Sequence, residues 1–161
     1  MDFDVLIIGA GLSGIGVARY LKVKCPGKTF AILEEKPRIG GTWDQFRYPG
    51  IRSDSDMHTM GYAFKPWTKP KAIADGESIL SYVKEAAEND LTPHIRFDRR
   101  VTAATYDSAT QRWTLTVDHG GETETLTCNF PLSCAGYYDH HAGYLPEWDG
   151  YADYKGRLVH P

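Results

Sequence analysis

Residues 4–16, DVLIIGAGLSGIG, decide how this chain folds. DVLII is a short apolar run closing on glycines, as a strand buried on both faces reads. Gly9-Ala10-Gly11-Leu12-Ser13-Gly14 is a G-x-G-x-x-G. From Leu12 to Val23 apolar residues recur at roughly helical spacing (Leu12, Ile15, Ala18, Leu21) until Pro26-Gly27 stops the pattern. TFAILEE, residues 29–35, is a second short buried strand, so the opening of the chain reads as β-α-β. Alone the glycine fingerprint is weak, but here a strand precedes it and a helix follows, which is the context it requires.

In that setting each residue type has a physical task. Gly9 permits the tight turn, Gly11 lets a pyrophosphate approach the backbone, and Gly14 lets helix and strand pack closely. The helix N-terminus offers free N–H groups and the positive end of its dipole. Ser13 adds a hydroxyl to the same loop. Glu34 lies 20 residues after Gly14, where an acid accepts hydrogen bonds from an adenosine ribose. That contact needs a free 2′-OH, so the site suits FAD or NAD and disfavours NADP. Glu35, one position further on, is expected to face solvent.

Downstream, residues 36–75 are rich in Pro, Gly and aromatics and lack periodicity. Such a long irregular segment inside a compact domain points to function. Tyr48 and Trp67 within it are expected in the core. DGESILSYVKEAAEND, residues 75–90, reads as a helix capped by Asp75 or Ser78, with Ile79, Leu80, Val83, Ala86 and Ala87 on one face. HIRF (94–97) is a short strand. RVTAATYD (100–107), RWTLTVD (112–118) and ETLTCNF (124–130), separated by turn signals, form an antiparallel meander. PLSCAG (131–136) reads as a further buried parallel strand ending on Gly136. The meander occupies the place of a crossover helix. With the second glycine pair Gly40-Gly41, followed by Thr42 and Trp43, it favours FAD over NAD.

Composition closes off other classes. The 161 residues carry a formal net charge of −3 without a basic stripe, so no nucleic-acid partner is expected. The longest apolar run, Val5 to Ile8, is far too short to span a bilayer, and the acidic start does not resemble a signal peptide. A cytoplasmic protein is the default expectation. The three cysteines form no C-x-x-C and are expected as reduced, buried small hydrophobes. The six histidines show no ligand spacing, so no metal is expected.

The stretch EEKPRIGGTWDQFRYPGIRSDSDMHT, together with FKPWT, AIADGESILSYVKE, HIRF, CAGYYDHHAGY and the closing GRLVHP, resembles the class B flavoprotein monooxygenases. The likeness is to the Baeyer–Villiger type, nearest its ethionamide-activating branch, and runs from residue 4 to 161. It implies a glutathione-reductase-like Rossmann FAD-binding domain, α/β, with a parallel sheet and an antiparallel β-meander crossover, here truncated. Residues 1–161 would be its N-terminal part, without the NADPH-binding domain and the returning part of the FAD domain. By resemblance, Gly9, Gly11, Ser13 and Gly14 hold the pyrophosphate and Glu34 the ribose. Gly41, Thr42, Trp43, Asp44 and Gln45 form a second FAD loop. Arg52, Ser53 and Asp54 form a rim near the flavin, where Asp54 orients an arginine absent from this chain. The backbone of Val101 meets the adenine. The implied reaction uses NADPH, FAD and O2, through a C4a-peroxyflavin, to insert oxygen into a ketone or to oxygenate sulfur. An N- or S-oxygenating flavin monooxygenase and a non-catalytic FAD-binding fragment are the alternatives. Tyr154, Gly156, His160 and Pro161 match the first half of the family's linker fingerprint, so residues 154–161 are expected to begin the link between domains.

Overall fold

The computed structural model describes residues 2–88, 90–140 and 142–159. Strand β1 (Phe3–Ile8) leads into helix α1 (Leu12–Lys24) and then β2 (Phe30–Leu33). Two single-turn helices follow, α2 (Thr42–Gln45) and α3 (Met57–Met60), and then the longer α4 (Gly76–Ala87). The short β3 (Ile95–Arg96) precedes β4 (Arg100–Asp107), β5 (Arg112–His119) and β6 (Glu122–Ser133). Together the strands form one sheet in the order β3-β2-β1-β6-β5-β4. The first four are mutually parallel, and β5 and β4 extend the sheet antiparallel. The fold is therefore α/β with a parallel core and a meander, as the sequence implies.

Strand alternation builds two cores. Val5, Ile7, Phe30 and Ile32 project toward α1 and α4 and pack with Ile15, Ala18, Ile79 and Val83. Leu6, Ala31 and Leu33 point the other way and meet Leu115, Val117, Leu126 and Cys128 of the meander. All five residues assigned to the inner face of α4 are buried. Asp75 is its N-cap, its carboxylate accepting the Ser78 N–H at 2.9 Å.

Four expectations are corrected. ETLTCNF and PLSCAG are not two strands: β6 runs unbroken through both. Pro131 is tolerated because of where its missing N–H would point. Cys134 N–H donates to the Ile8 carbonyl, so alternation turns position 131 away from β1. β5 has already ended on that flank, its last partners being Trp113 and Cys128, so no ladder bond is lost there. Tyr48 is not a core residue but is 45% exposed, whereas Trp67 is buried. Cys25 is exposed at the end of α1; only Cys128 is fully buried and Cys134 is half-buried. Segment 36–75 is not wholly irregular. Its strip 51–57 runs beside 72–76, with Ser53 N–H to Ala74 O at 3.0 Å and Met57 N–H to Ala72 O at 2.9 Å.

Among the described residues, no helix is long and apolar enough to cross a membrane. No group of three or more His, Cys, Asp or Glu among them is placed to hold a metal ion. Tyr154 and Gly156 of the linker fingerprint are described and exposed. His160 and Pro161 lie outside the described residues.

Candidate functional site

The site grows from the end of β1. Gly9 turns the chain at φ +101°, and a Cβ on it would lie 2.7 Å from the Cys134 carbonyl oxygen. A Cβ on Gly14 would lie 1.9 Å from the Gly9 carbonyl oxygen, so strand, turn and helix close up only with glycine at both positions. Gly11 is the N-cap of α1 and has no side chain to cap it. The first paired amide is Ile15 N–H, donating to Gly11 O at 3.1 Å. The N–H groups of Leu12, Ser13 and Gly14 therefore have no carbonyl within the helix to bond. No acid stands in the first turn, so the positive end of the helix is left for an external anion.

Glu34 follows β2 immediately. Its backbone is pinned to the neighbouring strand by Glu34 N–H to Arg96 O and Arg99 N–H to Glu34 O, both 2.9 Å. Glu34 is 7% exposed, and its carboxylate accepts two backbone amides, Ala10 N–H at 2.6 Å and Lys36 N–H at 2.9 Å. One of these lies inside the glycine loop, so the acid both ties the loop to β2 and keeps lone pairs for a ligand hydroxyl. Glu35 is exposed and forms an ion pair with Arg100, as its predicted solvent-facing position requires.

The second glycine pair docks on the first. Gly40 N–H donates to Ala10 O at 3.1 Å, and a Cβ on Gly41 would come 3.0 Å from Gly11 Cα. Between them opens a groove of about 520 Å³. At one end it is lined by Glu34, Lys36, Arg99, Arg100 and Val101. Its middle is the glycine loop with Gly41, Thr42 and Trp43. Its far end is Ser133–Tyr138 and His140, at the carboxyl end of β6. The groove thus spans the carboxyl ends of β1 and β6, the edge along which open α/β sheets usually bind ligands.

Eight predicted residues line this groove: Gly9, Gly11, Ser13, Glu34, Gly41, Thr42, Trp43 and Val101. Gly14 serves beneath it as the packing glycine. Asp44 and Gln45 do not line it. The Asp44 carboxylate is buried against Arg38, with Nε at 3.1 Å, and Arg47, with Nη2 at 2.7 Å, and so clamps the loop from behind. Gln45 Oε1 accepts from Lys36 Nζ. Arg52 and Asp54 are exposed, outside the groove lining, while Ser53 is buried and accepts Ser55 N–H at 3.0 Å. Arg52 forms an isolated antiparallel bridge with Asp75.

Sequence reasoning did not assign the aromatic far end. Tyr137 and Tyr138 lie with ring centroids 4.5 Å apart, and Phe46 meets Tyr138 edge-on at 5.5 Å. The Tyr138 hydroxyl is held above its ordinary pKa, first by its hydrogen bond with Tyr137 and more weakly by the charges of Asp54 and Tyr48. The available signal was positional: these residues directly follow the strand paired with β1.

Comparison with known proteins agrees with this geometry. The family model for an NAD(P)-binding Rossmann-like domain matches residues 7–69. The FAD-containing monooxygenase EthA of Mycolicibacterium smegmatis is 52% identical over 160 residues, 99% of this chain and 32% of that protein. The probable FAD-binding monooxygenase AlmA of Acinetobacter sp. is 48% identical, over 98% of this chain and 32% of its own length.

The chain is a homologue of these FAD-containing monooxygenases.

It spans about a third of the length of these relatives. Solved monooxygenases carry the same fold. OTEMO in complex with FAD and NADP matches with a TM-score of 0.76 and 34% identity, over 96% of this chain and 29% of that one. An oxidized steroid monooxygenase bound to NADP matches with a TM-score of 0.77 and 30% identity, over 94% of this chain and 29% of its own. The residues of this chain fit a dinucleotide. Paired glycines stand where a Cβ would collide with backbone, an anion-seeking helix end faces the groove, and a buried acid lies at the strand end.

Proposed function

We propose that this chain is the FAD-binding part of an NADPH-dependent monooxygenase that inserts one oxygen atom from O2 into a ketone, in the Baeyer–Villiger manner, or oxygenates sulfur. The observation that carries the reading is the continuous groove from Glu34, across the open N-terminus of α1, to Tyr137 and Tyr138. Its sequence of parts, a buried acid, an open helix end and an aromatic end, suits an extended dinucleotide. Residues 1–161 are read as the first part of the FAD-binding domain, with 154–161 leading toward the NADPH-binding part supplied elsewhere in a cytoplasmic parent.

Each part of the groove has its task in this reading. The first-turn amides of α1 and Ser13 hold the pyrophosphate. Glu34 accepts the ribose hydroxyls, and the backbone around Val101 borders the adenine. Thr42 and Trp43 close the groove along its middle. Asp54 sits toward the flavin end, where its charge orients an arginine from the rest of the parent, assisted at the rim by Arg52 and Ser53. Bound flavin supplies the redox chemistry, accepting hydride from NADPH and activating O2. The chain itself supplies grip, orientation and exclusion of water along one wall.

The test is FAD titration of the purified chain, followed by absorbance near ~450 nm and by flavin fluorescence. Saturable binding that is lost in Glu34→Ala supports the reading. A chain that takes up no flavin at any concentration overturns it. Joined to the remainder of its parent, NADPH-dependent O2 uptake with a cyclic ketone or with a thioether separates the two substrate classes. Flavin uptake without any NADPH oxidation by the rejoined protein makes it a non-catalytic binding module.

A further inference from the structure

We propose that Tyr62 is a positioning residue for the pyrophosphate donor at the N-terminus of α1. This inference rests on the reading of that helix end as the FAD pyrophosphate site. Tyr62 lies 50 residues from the glycine loop in sequence, in the aromatic segment that otherwise looks like packing. Its hydroxyl donates to the carbonyl oxygen of Leu12 at 2.6 Å. That carbonyl belongs to the same peptide unit as the N–H of Ser13. The Ser13 N–H is one of the three first-turn amides with no helical acceptor, and Ser13 lines the groove.

The arrangement is a chain of hydrogen bonds through one peptide: Tyr62 O–H to Leu12 C=O, and across the amide to Ser13 N–H, which points to the ligand. Donation to a carbonyl polarises the amide and makes its own N–H a stronger donor. The peptide plane is also held in one orientation from behind. Tyr62 is suited to this, being 9% exposed with its own N–H accepted by Tyr82 Oη at 2.6 Å. Its ring stacks on Phe64 with centroids 4.7 Å apart. A Cβ at Gly16, one turn along α1, would meet the Tyr62 ring at 3.1 Å, so glycine there admits the ring close to the helix. Burial raises the phenol pKa far above its ordinary value, so the group remains a donor throughout the working pH range.

The experiment compares the wild-type chain, Tyr62→Phe and Trp67→Phe. Tyr62→Phe keeps the ring and removes only the bond to Leu12. Trp67→Phe loosens the same aromatic cluster at its edge against Tyr82 and leaves the hydrogen bonds of Tyr62 in place. In the free chain, the Ser13 amide proton resonance is expected to shift upfield and exchange faster in Tyr62→Phe and to stay in place in Trp67→Phe. FAD titration is expected to show affinity weakened about fivefold in Tyr62→Phe, the size of one net hydrogen bond, and unchanged in Trp67→Phe. In the loaded chain the phosphorus resonances of FAD should move in Tyr62→Phe alone. Equal effects from both variants, or no effect from Tyr62→Phe, overturn the proposal. A wild-type chain that binds no FAD overturns the proposed function instead, and the Ser13 resonance then decides the role of Tyr62.

Discussion

Gly11 and Gly41 meet back to back, a Cβ on Gly41 falling 3.0 Å from the Cα of Gly11. The contact joins two glycine motifs 30 positions apart into one wall of the groove. A Cβ there would crowd the backbone of Gly11, and Gly41 also sits at φ +55°, where L-residues are strained. Gly41→Ala should therefore cost about 1–3 kcal/mol of stability and push the two loops apart. FAD affinity is expected to fall at least tenfold, read by fluorescence titration beside a thermal melt. An alanine variant with wild-type affinity would show that the contact is not part of the site.

Glu34 uses both carboxylate oxygens on backbone amides, Ala10 N–H and Lys36 N–H. Glu34→Gln keeps the size but replaces one acceptor with an NH2 donor, leaving one amide facing a donor. We expect a loss of about 1–3 kcal/mol in unfolding free energy, because the unmatched amide is buried. FAD binding should fall further than stability, since the ribose loses its charged acceptor. Urea denaturation and flavin titration on the same preparation separate the two.

Asp44 holds two arginines with a fully buried carboxylate. Arg38 and Arg47 are themselves more than half exposed, so water can re-solvate them when the acid is removed. Asp44→Asn is therefore expected to cost about 1–2 kcal/mol, well below the ~3–5 kcal/mol for breaking a fully buried pair. The clamp acts on the segment carrying Thr42 and Trp43, so flavin affinity should drop with it. Differential scanning calorimetry and titration give both numbers.

The Asp75 carboxylate is held below the ordinary Asp value, chiefly by the Ser78 amide and then by the Ser78 side chain. A lowered folded-state pKa stabilises the fold above the unfolded value of about 3.9, and that contribution disappears as pH falls through the folded value. Asp75→Ala should lower stability by about 1 kcal/mol at pH 7, the usual worth of an N-cap. The gap between wild type and variant should narrow as pH drops below about 4. A gap constant from pH 7 to pH 3 would rule out the charged cap.

Cys25 is exposed, Cys128 buried and Cys134 half-buried beside the groove. Burial raises the pKa of the Cys128 and Cys134 thiols, which keeps them protonated at neutral pH. A disulfide reagent should give one fast-reacting thiol per chain, lost in Cys25→Ser. Cys134 should react more slowly, and more slowly still with FAD bound, because it lines the groove. Protection of Cys25 rather than Cys134 by FAD would place the ligand elsewhere.

The sequence by itself determined the β-α-β opening, the meander and the residues that make a dinucleotide loop. These are local matters: alternation, helical spacing and glycine at positions where backbone must touch backbone. Glu34 was legible for the same reason, standing a set distance beyond the fingerprint at a strand end. Only the tertiary structure decided that ETLTCNF and PLSCAG are one strand. Pro131 is harmless because β5 has already ended on that flank, and no local rule reports a neighbour's length. Asp44 reads like a cofactor contact, yet its carboxylate turns inward to Arg38 and Arg47. The docking of Gly41 on Gly11, the aromatic end at Tyr137 and Tyr138, and the bond from Tyr62 to Leu12 join residues remote in sequence. Their partners are chosen by how the sheet and helices pack, and pattern within a short window carries no record of that choice.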